Sequence, residues 1–90
     1  MKIVINACFG GFSLPKNFCE KYHMNKYDDI ERTDERLISF VESRGGDVKE
    51  GCSFLVVEEI PNDATDYMIT EYDGAEGIIY VINGKLKSID

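Results

Sequence analysis

Ile3-Val4-Ile5-Asn6-Ala7-Cys8-Phe9-Gly10-Gly11-Phe12-Ser13-Leu14-Pro15 reads as a strand, a glycine loop and the entry to a helix. Residues 2–6 are apolar on both faces of an extended chain, as expected inside a sheet rather than at its edge. Two adjacent glycines let the backbone reach φ > 0 or approach a neighbour closely. Ser13 is placed to cap a helix whose first turn tolerates Pro15. A loop of this kind aims backbone N–H groups at one point, which suits an anion or a thiolate and is also an ordinary way to turn a corner.

Downstream, Leu14, Phe18 and Tyr22 recur at helical spacing with Cys19 beside them and predict a first helix over about 14–23. Asn25 to Glu31 reads as a polar linker. Thr33-Asp34-Glu35 supplies a cap and a first-turn carboxylate for a second helix with Leu37, Ile38, Phe40 and Val41 on its apolar side, and Gly45-Gly46 stops it. Phe54-Leu55-Val56-Val57 is the strongest strand and runs on to Pro61. Tyr67–Tyr72, Ile78–Ile82 and Lys85-Leu86-Lys87 follow, separated by the hairpin dipeptides Asp73-Gly74 and Asn83-Gly84. Ala75-Glu76-Gly77 predicts a first connection longer than two residues. The expected fold is one α+β domain over 1–90, order β-α-α-β-β-β, with two helices on one face of a small mixed sheet of four to five strands. There is no internal repeat.

Apolar residues make up 43% of the 90 residues, enough for one modest core. No run approaches the ~20 apolar residues of a membrane span, and Met1-Lys2 leads directly into a strand, so a soluble intracellular protein is expected. Three irregularly spaced cysteines are not a disulfide framework and fit a reducing compartment. The net charge of −7 is lopsided, with 8 basic and 9 acidic side chains in 1–50 against 2 and 8 in 51–90. Seven carboxylates and no Lys or Arg lie between Glu58 and Glu76. Such a field repels phosphates and argues against direct nucleic-acid binding, while it suits a basic protein surface. Simple solvation of the same carboxylates is the plainer reading.

Four arrangements carry chemistry. Cys8, between a strand and a helix, is placed for an activated thiol, but the one available base, His23, lies at the far end of the first helix, about 15 Å away along ~10 helical residues. A buried free cysteine is the preferred reading, and no catalytic residue is assigned. Cys19 and His23 share a helical face, and Cys8 and Cys52 would complete a Cys₃His zinc set, but no Cys-x-x-Cys occurs and no metal or other cofactor is assigned. Asn6, Cys8, Gly10, Gly11 and Ser13 could bind a small ligand or nucleotide, but the Lys-Ser/Thr of a phosphate loop and the three-glycine dinucleotide pattern are lacking, and a tight turn that packs Phe9 and Phe12 is the preferred reading. Finally, Tyr67, Tyr72 and Tyr80 interleave with Glu71, Asp73 and Glu76, a mixture suited to a protein interface or to an ordinary exposed sheet.

Lys2-Ile3-Val4-Ile5-Asn6, Cys8-Phe9-Gly10-Gly11-Phe12-Ser13-Leu14, Arg32-Thr33-Asp34 with Leu37 and Val41-Glu42, Val57-Glu58-Glu59-Ile60-Pro61-Asn62-Asp63 and Glu71-Tyr72-Asp73-Gly74-Ala75-Glu76 together resemble a widespread group of small, mostly hypothetical proteins of bacteriophages and prophages. The resemblance runs in order to about residue 76. Many such proteins end in a His-Arg-aromatic segment where this chain has Val81-Ile82-Asn83-Gly84-Lys85-Leu86, so no role of that tail is carried over. The resemblance implies a phage protein in the cytoplasm of the bacterial host, a setting in which small acidic proteins bind and disable host machinery, including CRISPR effectors.

The expected function is that of an acidic, non-enzymatic inhibitor of a bacterial defence system. It would contact a basic host protein, such as a nucleic-acid-binding defence effector, through Glu58, Glu59, Tyr67, Glu71, Tyr72, Asp73 and Glu76. Nucleotide capture at the Gly10-Gly11 loop is the alternative, with a thiol enzyme at Cys8 and a structural phage component behind it. No membrane contact is expected, and a homodimer could form through the edge at Lys85-Leu86-Lys87, against which its lysines count.

Overall fold

The computed structural model describes residues 1–89. Its elements are β1 (Lys2–Asn6), α1 (Lys16–Tyr22), α2 (Glu35–Glu42), β2 (Asp47–Glu50), β3 (Ser53–Glu59), β4 (Asp66–Tyr72), β5 (Ala75–Ile82) and β6 (Lys85–Ile89). The expected order is retained, with β2 added ahead of β3. The expected single mixed sheet is replaced by two antiparallel three-stranded sheets, β1-β3-β2 and the meander β4-β5-β6. β2 escapes the sequence reading because Asp47-Val48-Lys49-Glu50 has one apolar residue and is largely solvent-facing. Its hairpin with β3 reverses the chain after α2, and β3 therefore returns antiparallel to β1.

The layers are helices, first sheet, meander. Val4, Leu55 and Val57 face α1 and α2, where they meet Leu14, Phe18, Leu37, Phe40 and Val41. Phe18 and Phe40 join the helices through an edge-on ring contact of 5.5 Å, and Phe18 also meets Tyr22 of its own helix at 4.8 Å. Ile3, Ile5, Val56 and Ile60 form the opposite face and pack on Tyr67, Ile69, Ile78, Tyr80 and Ile89 of the meander. The alternation of side chains along a strand thus divides β1 and β3 between two cores.

β1 is an edge strand, not the interior strand its sequence predicts. It is apolar on both faces because a helix layer covers one and the meander the other. Its outward amides are closed by partners outside its own sheet: Val4 N–H donates to the Arg32 carbonyl at 2.8 Å, and Asn6 N–H to the Glu76 side-chain Oε1 at 2.7 Å.

Local signals hold in part. Asp34 caps α2, accepting from Arg36 N–H at 2.9 Å, and Gly45 and Gly46 end it with φ of 90° and 96°. Ser13 does not cap α1: the N-cap is Pro15, and the Ser13 hydroxyl is buried 2.9 Å from that of Ser53, which donates to the Glu50 carbonyl. Asp73-Gly74 makes a two-residue turn with φ of 51° and 89°, shorter than predicted because β5 begins at Ala75. Asn83-Gly84 forms the expected equivalent between β5 and β6.

Candidate functional site

The glycine loop and the β4–β5 turn are built against each other. Asn6 is fully buried, and its amide donates to the carbonyls of Cys8 at 2.7 Å and Gly74 at 2.8 Å while its oxygen accepts from Phe54 N–H at 2.8 Å. Gly10 N–H donates to the Asp73 carbonyl at 3.2 Å. A Cβ on Gly74 would overlap the backbone nitrogens of Gly10 and Gly11, and one on Gly10 would lie 2.7 Å from both Cβ and carbonyl oxygen of Cys52. The glycines are therefore required by the approach of three backbone segments.

Arg32 completes this junction. Its guanidinium pairs at two points with Glu76, at 2.6 and 2.9 Å, and lies 3.6 Å from the centroid of the Phe12 ring. Arg32 comes from the linker between the helices, so one side chain ties the linker, the glycine loop and the meander together. Nothing in the linear sequence pairs it with a carboxylate 44 residues away.

Of the five ligand-binding candidates, Asn6, Gly10 and Ser13 direct hydrogen-bonding groups into the fold, Gly11 backs onto Gly74, and Cys8 is half-buried. An anion at this loop would have to displace bonds that hold the sheets together. Cys19 is half-buried on α1, where burial pushes its thiol pKa up, helped by the carboxylates of Asp28 and Glu50. His23 ends α1 in a left-handed conformation. Among the described residues no three His, Cys, Asp or Glu side chains gather as metal ligands.

The seven interface candidates separate. Glu76 is a paired, largely buried carboxylate rather than free surface, and Tyr67 packs in the second core. Tyr80, read with them in the sequence, packs there too. Glu59 lies opposite Lys2, whose ammonium is paired with Glu42 at 2.6 Å, and half-buried Glu58 lies opposite Ile3. Only Glu71, Tyr72 and Asp73 stay together and exposed at the turn. The structure adds Phe9, which the sequence reading placed in a tight turn. Its side chain is 63% exposed and that of Tyr72 75%, and each immediately precedes one end of the Gly10–Asp73 hydrogen bond. From Tyr72 the outer face of the meander continues through Met68, Ile79, Val81 and Leu86, which with Asp66 and Tyr67 line a shallow hollow of about 170 Å³.

Among the described residues no helix is long and apolar enough to cross a membrane. No protein-family model, curated protein or solved structure matches the chain.

Proposed function

We propose that this chain is a binding protein that docks on a basic protein surface through the loop–turn junction and the adjoining outer face of the meander. The observation carrying this reading is the pair of exposed aromatic side chains, Phe9 and Tyr72, on a junction held by Gly10, Asp73, Asn6 and Gly74. Aromatic anchors on backbone that is already ordered lose little entropy on binding, and interface energy concentrates in such residues. Glu71, Asp73 and Asp66 border the surface and select a positively charged partner. The more distant Glu58 and Glu59 contribute to the long-range field, not to contact.

The biological setting follows from the resemblance to phage proteins: an inhibitor of a bacterial defence system, acting in the host cytoplasm on a nucleic-acid-binding effector by covering its basic surface. Affinity capture from phage-infected cells tests this. The wild-type chain should retain a basic host protein in a salt-sensitive manner, and Tyr72→Ala or the pair Glu71→Gln with Asp73→Asn should release it. Asp73→Asn keeps a residue that tolerates the left-handed turn, so the fold is spared. Retention that is indifferent to these substitutions and to salt would remove the reading.

A further inference from the structure

We infer that the cleft between α1 and α2 binds a small phosphate-bearing ligand of nucleotide size, at a site independent of the interface proposed above. The cleft encloses about 390 Å³, within the range of small-molecule sites, and is walled by Lys21 and Tyr22 of α1, Arg36, Ser39 and Phe40 of α2, and Arg44 just beyond. Its charged walls are all cationic. In a chain of net charge −7 with ten cations, three of those cations converge here, and among the described residues no carboxylate lines the space.

Two of the cationic groups are held in place. The Arg44 guanidinium lies 3.6 Å from the Phe40 ring centroid and donates to the Phe40 carbonyl at 3.4 Å and the Ser43 hydroxyl at 3.2 Å. Arg36 is fixed by two bonds to Asp34 at 2.8 and 3.1 Å, which offset part of its charge without entering the cleft wall. Among the described residues neither Lys21 nor Arg44 has an acidic partner. The Arg44 guanidinium, the Lys21 ammonium and the Ser39 hydroxyl make a donor set that matches phosphate oxygens, while the Nε–Nη2 fork of Arg36 is already taken by Asp34.

The aromatic wall narrows the ligand class. The Tyr22 ring, backed by Phe18 at 4.8 Å, has the Arg36 guanidinium 5.2 Å and the Lys21 ammonium 5.3 Å over it, so a planar base would stack on the guanidinium-covered ring with its phosphate beside the same cations. A long nucleic acid would meet the acidic remainder of the protein and be repelled, whereas a mononucleotide fits within the local positive field.

Amide NMR spectra titrated with adenosine monophosphate, inorganic phosphate and adenosine test this. The monophosphate should shift amides in 17–22 and 36–44, inorganic phosphate the same set more weakly, and adenosine none. Lys21→Glu and Ser39→Glu change exposed side chains and should each weaken monophosphate binding by at least about tenfold, with unchanged signals elsewhere reporting an intact fold. Absence of shifts at millimolar monophosphate, shifts confined to other residues, adenosine binding as tight as the monophosphate, or wild-type affinity in both variants would each overturn the assignment.

Discussion

Arg32 and Glu76 form a two-point ion pair across the open edge of β1, and Glu76 Oε1, which receives Arg32 Nη1, also accepts from the Asn6 backbone N–H. The Glu76 side chain is only 8% exposed, so its carboxylate oxygens are satisfied by these partners rather than by water. Glu71 lies directly across the ladder from it, and Arg32 offsets the repulsion expected of two facing carboxylates.

Removing one partner of this pair should be costly. Glu76→Ala orphans the Arg32 charge and the Asn6 N–H, and a loss of about 2–4 kcal/mol is expected in urea unfolding. Arg32→Ala should lose a similar amount, with the double variant well short of the sum because both act on one contact. Additive losses would show that the two residues do not cooperate.

Gly74 and Gly84 occupy equivalent turn positions with φ of 89° and 73°, but only Gly74 backs onto another chain segment. Gly84→Ala should cost about 1 kcal/mol of backbone strain, and Gly74→Ala at least about 2 kcal/mol more because the glycine loop must move away. Equal thermal shifts in the two variants would contradict the packing of loop on turn.

Acid sensitivity should reside partly in Asp34. The Arg36 guanidinium beside it holds the Asp34 carboxyl below its usual range, while burial opposes the shift. Because the folded value is the lower one, the stabilisation is complete above the unfolded value of about 4 and is lost as pH falls through the folded value. Asp34→Asn keeps a capping side chain and removes the titration, so its unfolding midpoint should fall less steeply below about pH 4 than that of the wild type. Parallel pH profiles would rule this out.

Thiol reactivity should follow exposure. Cys52 lies exposed in the β2–β3 turn, whereas the Cys19 thiol is held protonated by its surroundings, with Sγ 3.8 Å from the Leu14 carbonyl. Alkylation near neutral pH, read by mass spectrometry of peptides, should modify Cys52 at least about tenfold faster than Cys19. Faster modification of Cys19 would mean that α1 opens readily.

Elements with strong local signals were legible in the chain. The apolar spacing of Leu37, Phe40 and Val41 after Asp34, the run Phe54–Val57 and the turn dipeptides at 73–74 and 83–84 correspond to α2, β3 and the meander. β2 was not legible, since a short polar edge strand owes its conformation to the backbone of β3 rather than to its own side chains. The glycine loop was visible as a feature, but its role was not. The same residues could cradle an anion or receive a turn, and only the position of Gly74 distinguishes the two.

The acidic stretch from Glu58 to Glu76 illustrates the same limit. Its composition reads as one negative surface, yet strand alternation and register send Tyr67 inward, set Glu59 opposite Lys2, bury Glu76 against Arg32 and leave Glu71, Tyr72 and Asp73 outside. Local periodicity, capping and turn chemistry act over a few residues, and they determined the helices, most of the strands, the hairpins and the α+β class. The division into two sheets, the closure of the β1 edge and the convergence of Lys21, Arg36 and Arg44 bring together groups distant in sequence. Tertiary packing alone decided them, because no local energy term couples residues whose proximity exists only after the layers have assembled.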